Sequence, residues 1–182
     1  MEQYFDELGI GYSANSIDSI SKFNDIITLY LASKNSVMPS LDELTLHDPN
    51  MPMAHILKGY LLKLGGDPKF STPINSVLRK LKGNELTLNP REQKHLTALT
   101  QWAANQNHQA LIVLEELLER HPKDMLALRL AHYLHFYSGN AELMRDSIQR
   151  SYDQWQENDR FFSYLLGMYS FGLEESGDFD QA

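Results

Sequence analysis

The chain has no cysteine in 182 residues. Disulfide bonds, thiol catalysis and cysteine-ligated zinc are therefore excluded, while the redox compartment is not assigned, since cytosolic proteins also manage without cysteine. Long apolar runs are missing as well: none approaches the roughly 20 residues that cross a bilayer. The opening Met1-Glu2-Gln3-Tyr4-Phe5-Asp6-Glu7 is acidic where a secretory leader would be basic. A cytoplasmic protein without a membrane partner is expected. Positive charge is scarce, with 16 Lys and Arg against 24 Asp and Glu and a formal net charge of −8. Backbone phosphates are bound by clustered cations, so no nucleic-acid partner is expected. The densest basic group, Arg79, Lys80 and Lys82, falls at a helix end, where cations also suit the helix dipole. The acidic balance leaves basic peptides and proteins as partners, through steering that weakens with salt. Glycine-rich phosphate cradles, nucleophile elbows and metalloprotease helix motifs are all absent, so no catalytic residue and no cofactor is assigned. No alternating segment is long enough to suggest a sheet.

What is present is helix. Hydrophobic residues make up 42% of the chain, which is sufficient for a continuous core and suits one domain. Ser16 to Ser33 places Ile17, Ile20, Phe23, Ile26, Ile27 and Tyr30 at spacings of three and four, behind the capping-type residues Ser13 and Asn15. Pro39 to Leu46 is stopped by His47-Asp48-Pro49-Asn50, because the residue before proline leaves helical geometry. Met53 to Leu64 ends at Gly65-Gly66-Asp67-Pro68, and Pro73 to Leu81 is its partner. After a turn-rich link from Lys82 to Asn89, the series continues with Arg91 to Ala104, His108 to Arg120, Asp124 to Tyr137, Ala141 to Gln156 and Arg160 to Glu175. Met1 to Gly11 has Tyr4, Phe5, Leu8 and Ile10 to pack as an extended arm, with Gly9 and Gly11 opposing a helix there. Packing on its own chain and fitting a neighbouring molecule are both open to it.

From Arg91 onward the helix pairs repeat in phase. With Pro122 closing one unit, the unit opens at Arg91 and the next at Met125, a repeat of about 34 residues. Ala110 then takes the close-packed place on a second helix, and Gly139 and Asn140 fall in the next turn, with Met144 and Ser151 on the helix after it. The expected fold is all-α: tetratricopeptide-like helix-turn-helix repeats stacked as a right-handed α-α superhelix. Residues 1–15 form an N-terminal arm, and 16–182 form a single repeat domain that stops partway through a repeat.

Between about Asn89 and Ala182 the chain resembles the tetratricopeptide repeat protein 38 family. The resemblance is carried by Arg91-Glu92-Gln93, by His121-Pro122-Lys123-Asp124-Met125-Leu126-Ala127-Leu128, by Met144-Arg145-Asp146-Ser147 and by Tyr169-Ser170-Phe171-Gly172-Leu173-Glu174. Before Asn89 it is weaker, although Asp48-Pro49 and Met53-Ala54-His55 resemble the family's opening helix pair. The resemblance implies the amino-terminal portion of a longer helical repeat protein of soluble compartments. It supplies no catalytic residues.

In stacked helix pairs the first helix of each pair lines the concave side. With Gly59, Ala98, His132 and Ser170 aligned at position eight, position nine reads Tyr60, Leu99, Tyr133 and Phe171. His95, Trp102, Arg129, Phe136 and Tyr164 surround that row, a mixed aromatic and cationic face suited to an extended peptide or an acidic chain end. The competing reading is that these aromatics fill seams between helices. His132 and His135, three apart on one helix with His121 nearby, have metal-chelating spacing but lack a third ligand in sequence, so no metal is assigned. His132 is expected to be close-packed with a local hydrogen bond, and His135 partly exposed. Glu115, Glu116 and Glu119 read as the solvated side of an amphipathic helix, and Arg145 with Asp146 as an ion pair across helices.

Two functional classes remain. One is a non-catalytic protein-interaction module with an unidentified protein or peptide partner. The other is a portion of an enzyme or small-ligand-binding protein whose pocket is completed by downstream repeats, with His95, Trp102 and Tyr133 as walls. The last helix is expected to expose Phe161, Leu165 and Met168, and to favour self-association through that edge.

Overall fold

The computed structural model describes residues 2–83, 86–180 and 182. Nine α-helices and one two-stranded ribbon occur among the described residues, so the expected all-α class holds for all but the first residues. Residues 84 and 85 of the link after the fourth helix, and Gln181 of the trailing turn, lie outside the description. The chain divides into two compact units, Met1–Gln106 and Asn107–Ala182.

The first unit opens with β1 (Glu2–Phe5) and β2 (Gly11–Ala14), paired antiparallel with Tyr4 opposite Tyr12. The sequence reading missed this sheet because each strand is only four residues long, too short for alternation to register. Its connection is organised by Asp6, whose Oδ1 accepts from the N–H groups of Leu8 and Ile10, while Gly9 supplies the φ of +75° that the turn needs. Ile10, Tyr12 and Ala14 are buried, so the ribbon lies on its own chain.

The helices of this unit are α1 (Ile17–Leu31), α2 (Val37–His47), α3 (Pro52–Leu64), α4 (Ser71–Lys82) and α5 (Pro90–Ala103), with a 3₁₀ turn at Pro68–Phe70. α1 is capped by Ser16, which accepts from the Ser19 N–H; Ser13, one of the two expected caps, sits on β2 instead. α4 ends in Arg79, Lys80 and Lys82, as expected of cations at a helix C-terminus, and Lys80 also donates to the Pro49 carbonyl at 2.9 Å. α3 and α5 pack closely at Gly59, where an added Cβ would come within 2.5 Å of the Leu99 side chain.

The second unit consists of α6 (Asn107–Arg120), α7 (Met125–Tyr137), α8 (Ala141–Tyr152) and α9 (Phe162–Ser176). Asp124 caps α7 by accepting from the Ala127 N–H, as its place before an apolar run suggests. α8 is shorter than its pattern implied. The chain turns after Tyr152, where the Trp155 indole becomes buried and donates to the Pro122 carbonyl at 3.1 Å. At Gly172 an added Cβ would meet the Arg145 Cα at 3.0 Å, so α9 lies close along α8. One expectation is overturned: Phe161, Leu165 and Met168 are buried, as α9 packs against α8 and α7 rather than leaving an open edge. Among the described residues, no helix is long and apolar enough to cross a membrane.

Candidate functional site

The four first-unit members of the expected groove do not reach solvent. Tyr60, His95 and Leu99 are completely buried and Trp102 nearly so. The Tyr60 hydroxyl donates to the His95 carbonyl oxygen at 2.8 Å, and its ring lies 6.0 Å from that of Trp102. A tyrosine whose apolar body is enclosed and whose polar tip is satisfied internally is a core residue. The seam reading therefore holds for these four positions.

Above α5 the ribbon is fastened by polar groups. Asn89 and Glu92 form a capping box at the start of α5, and the same Glu92 carboxylate accepts from the Ser13 N–H at 2.8 Å and the Ser13 hydroxyl at 2.7 Å. Arg91 donates to the Gly11 carbonyl and lies 4.5 Å from the Tyr12 ring centroid. Burial pushes the Glu92 carboxyl above its ordinary range, in spite of the Ser13 and Asn89 donors and the Arg91 charge that favour ionisation. Both Glu92 oxygens are thus engaged, closing the α5 cap and joining the ribbon to it.

The second unit treats the same residue types differently. Arg129, Tyr133 and Tyr137 follow at four-residue spacing along α7 and so share one face. Tyr133 and Tyr137 have ring centroids 4.4 Å apart, Phe136 stands edge-on to Tyr137 at 5.5 Å, and Phe136 lies 5.5 Å from Phe171 of α9. Tyr133 and Phe171 are half-buried, whereas Phe136 is 44% and Tyr137 70% exposed. Arg129 is also half-buried, and among the described residues no ion pair engages it. Tyr164 is half-buried on the first turn of α9. The structure thus keeps Arg129, Tyr133, Phe136, Tyr164 and Phe171 of the expected groove at least partly accessible. It adds Tyr137, which the position-nine alignment passed over and the four-residue spacing from Tyr133 could have found.

The two α7 histidines have separate environments. His132 is buried, 5.8 Å from Phe171, and its Nδ1 has no hydrogen-bond partner among the described residues, so the expected local hydrogen bond is not seen at that nitrogen. Burial, with smaller contributions from the Arg129 and His135 charges, lowers its pKa to about 4. His135 is buried too, against the expectation of partial exposure, because its Nε2 meets Glu115 Oε1 at 2.9 Å. Among the described residues, no group of three or more His, Asp or Glu is gathered so as to hold a metal ion.

That Glu115 contact belongs to a second feature. α6 and α8 both pack on α7, and between them lies an open cleft of about 890 Å³. On its floor Glu115 of α6 receives His135 of α7 through one oxygen and Arg150 of α8 through the other. Burial opposes the Glu115 charge, but His135, the Ser147 hydroxyl and Arg150 together outweigh it and hold the carboxyl below its ordinary range. Glu115 is thus not part of a solvated face, whereas Glu116 and Glu119 are exposed as read. Arg145, expected to pair across helices with Asp146, holds that neighbour within α8 and pairs across to Asp178 beyond α9. No family model matches the chain, and no solved structure matches it significantly.

Proposed function

We propose that the chain is a non-catalytic protein-interaction module that captures a peptide or protein segment on the aromatic face of α7 and α9. One observation carries the reading: four aromatic rings in contact, two of them substantially exposed, beside Arg129, which has no ion-pair partner among the described residues. Rigid rings offer wide contact at small entropic cost, and an unpaired guanidinium selects a carboxylate. An acidic side chain or a chain end is the matching ligand group. The competing reading, in which His95, Trp102 and Tyr133 are walls of a site completed elsewhere, loses two of its three walls to the core of the first unit.

A repeat architecture of tetratricopeptide type and kinship to the tetratricopeptide repeat protein 38 family belong to the same proposal. They are supported by α6 and α8 opening at Asn107 and Ala141, 34 residues apart. Further support comes from the caps Asn89 and Asp124, which place helix starts on the runs that carry the resemblance.

A random peptide library displayed against the purified chain tests the function. The expected selection shares an acidic residue next to an apolar one, binds with chemical-shift changes on α7 and α9, and weakens at least about tenfold on Arg129→Glu or Tyr137→Ala. Peptides indifferent to both substitutions would overturn the assignment.

A further inference from the structure

The cleft between α6 and α8 lies apart from the α7–α9 aromatic face and has its own chemistry. Its two walls carry apolar side chains into solvent, Ile112 of α6 at 39% exposure and Leu143 of α8 at 49%, with Leu111 below them. Because these walls are open, a small molecule would leave much of its surface wet, whereas a rod lying between two helices would cover both. The 14-residue α6 gives a trough about 21 Å long, the length of roughly four helical turns. Among the described residues that line it, Glu115, Glu116 and Glu119 are acidic and Arg150, which Glu115 engages, is the one lysine or arginine. The walls are also fixed in advance. Glu115 joins His135 and Arg150, so one carboxylate ties α6, α7 and α8 together beneath the trough and lowers the cost of ordering it for a ligand.

We propose that this cleft docks an amphipathic helix from a basic partner protein. The apolar stripe of that helix would lie on Leu111, Ile112 and Leu143, with its lysines or arginines over the acidic α6 wall at Glu119. Charge decides against a second copy of this chain as occupant, since its formal charge of −8 makes two copies repel, while the same field steers a cationic helix inward. The mode is that of an amphipathic helix in a groove, read by anchors at spacings of three and four.

The test uses the whole chain and two fluorescein-labelled synthetic peptides, each with leucines at helical spacing and flanks of lysine in one and glutamate in the other. Fluorescence anisotropy is expected to show the lysine peptide binding at least about tenfold more tightly, with the margin shrinking as salt rises. Leu143→Asp and Glu119→Lys are each expected to weaken it about tenfold, whereas Tyr137→Ala and Arg129→Glu leave it unchanged, which separates this cleft from the aromatic face. Both cleft substitutions are at exposed positions, and melting curves should confirm that each variant folds. Equal binding of the two peptides, binding of neither, or indifference to both cleft substitutions would overturn the proposal. So would a concentration-dependent dimer abolished by Glu119→Lys, which would assign the cleft to a second copy.

Discussion

Tyr60 in the first unit and Tyr133 in the second fall in the same row of the repeat expected from sequence, yet one is sealed in the core and the other is half open. The difference is where their polar tips and neighbours go. Tyr60 gives its hydroxyl proton to a backbone carbonyl inside the unit and sits against Trp102, whereas Tyr133 stacks on a ring that is itself mostly in water. An aromatic repeated at helical spacing is therefore not a binding row in itself. A ring can meet a ligand only where its outer side is uncovered, and on α7 Tyr133, Phe136 and Tyr137 are at least partly open to solvent.

The comparison breaks most sharply under truncation. Tyr60→Ala removes a completely buried ring and is expected to cost about 3–5 kcal/mol of unfolding free energy, read from urea denaturation. A loss below about 1 kcal/mol would show that the site is not core. Acid should strike the second unit next. His132 has its pKa lowered from 6.5 to about 4, so the unfolded chain binds a proton at a pH where the folded one does not. The stability that this provides is fully present above pH 6.5 and is lost as pH falls towards 4, about 3 kcal/mol in all. His132→Leu should flatten that part of the pH–stability profile, and an unchanged slope would remove His132 as its source. In the first unit, Glu92→Ala strands the Ser13 and Asn89 N–H groups and should cost about 1–3 kcal/mol, with proton exchange at Ser13 accelerated. The smallest effect is expected at the open ring. Tyr137→Ala should change stability by less than about 0.5 kcal/mol while weakening peptide capture, and a large destabilisation would make that face structural.

Helix positions were legible because their signals are local. Asn89 and Asp124 cap the helices that their sequence positions announce, and Pro52 and Pro90 stand in first turns, where the missing N–H costs nothing. What escaped is set by partners far away in sequence. Trp155 ends α8 early by reaching Pro122, and Ser13 leaves the expected capping role to bind Glu92, 79 residues on. Glu115 read as solvated because its partners, His135 and Arg150, are 20 and 35 residues away. The candidate groove was legible as a set of residue types but not as a surface. Periodicity places Tyr60, His95, Leu99 and Trp102 on one side of their helices, and only the packing of α3 on α5 shows that this side is covered.

The Glu92 carboxylate has a consequence for the order in which the chain folds. It completes the α5 cap and also receives Ser13, so the amino-terminal ribbon has its docking point only once the first turn of α5 is wound. A contact spanning 79 residues carries a loop-closure cost that local turns do not, which places ribbon docking late in refolding. In pulsed-labelling experiments the Ser13 amide should gain protection after the amides of α5, and its release under mild denaturant should precede theirs.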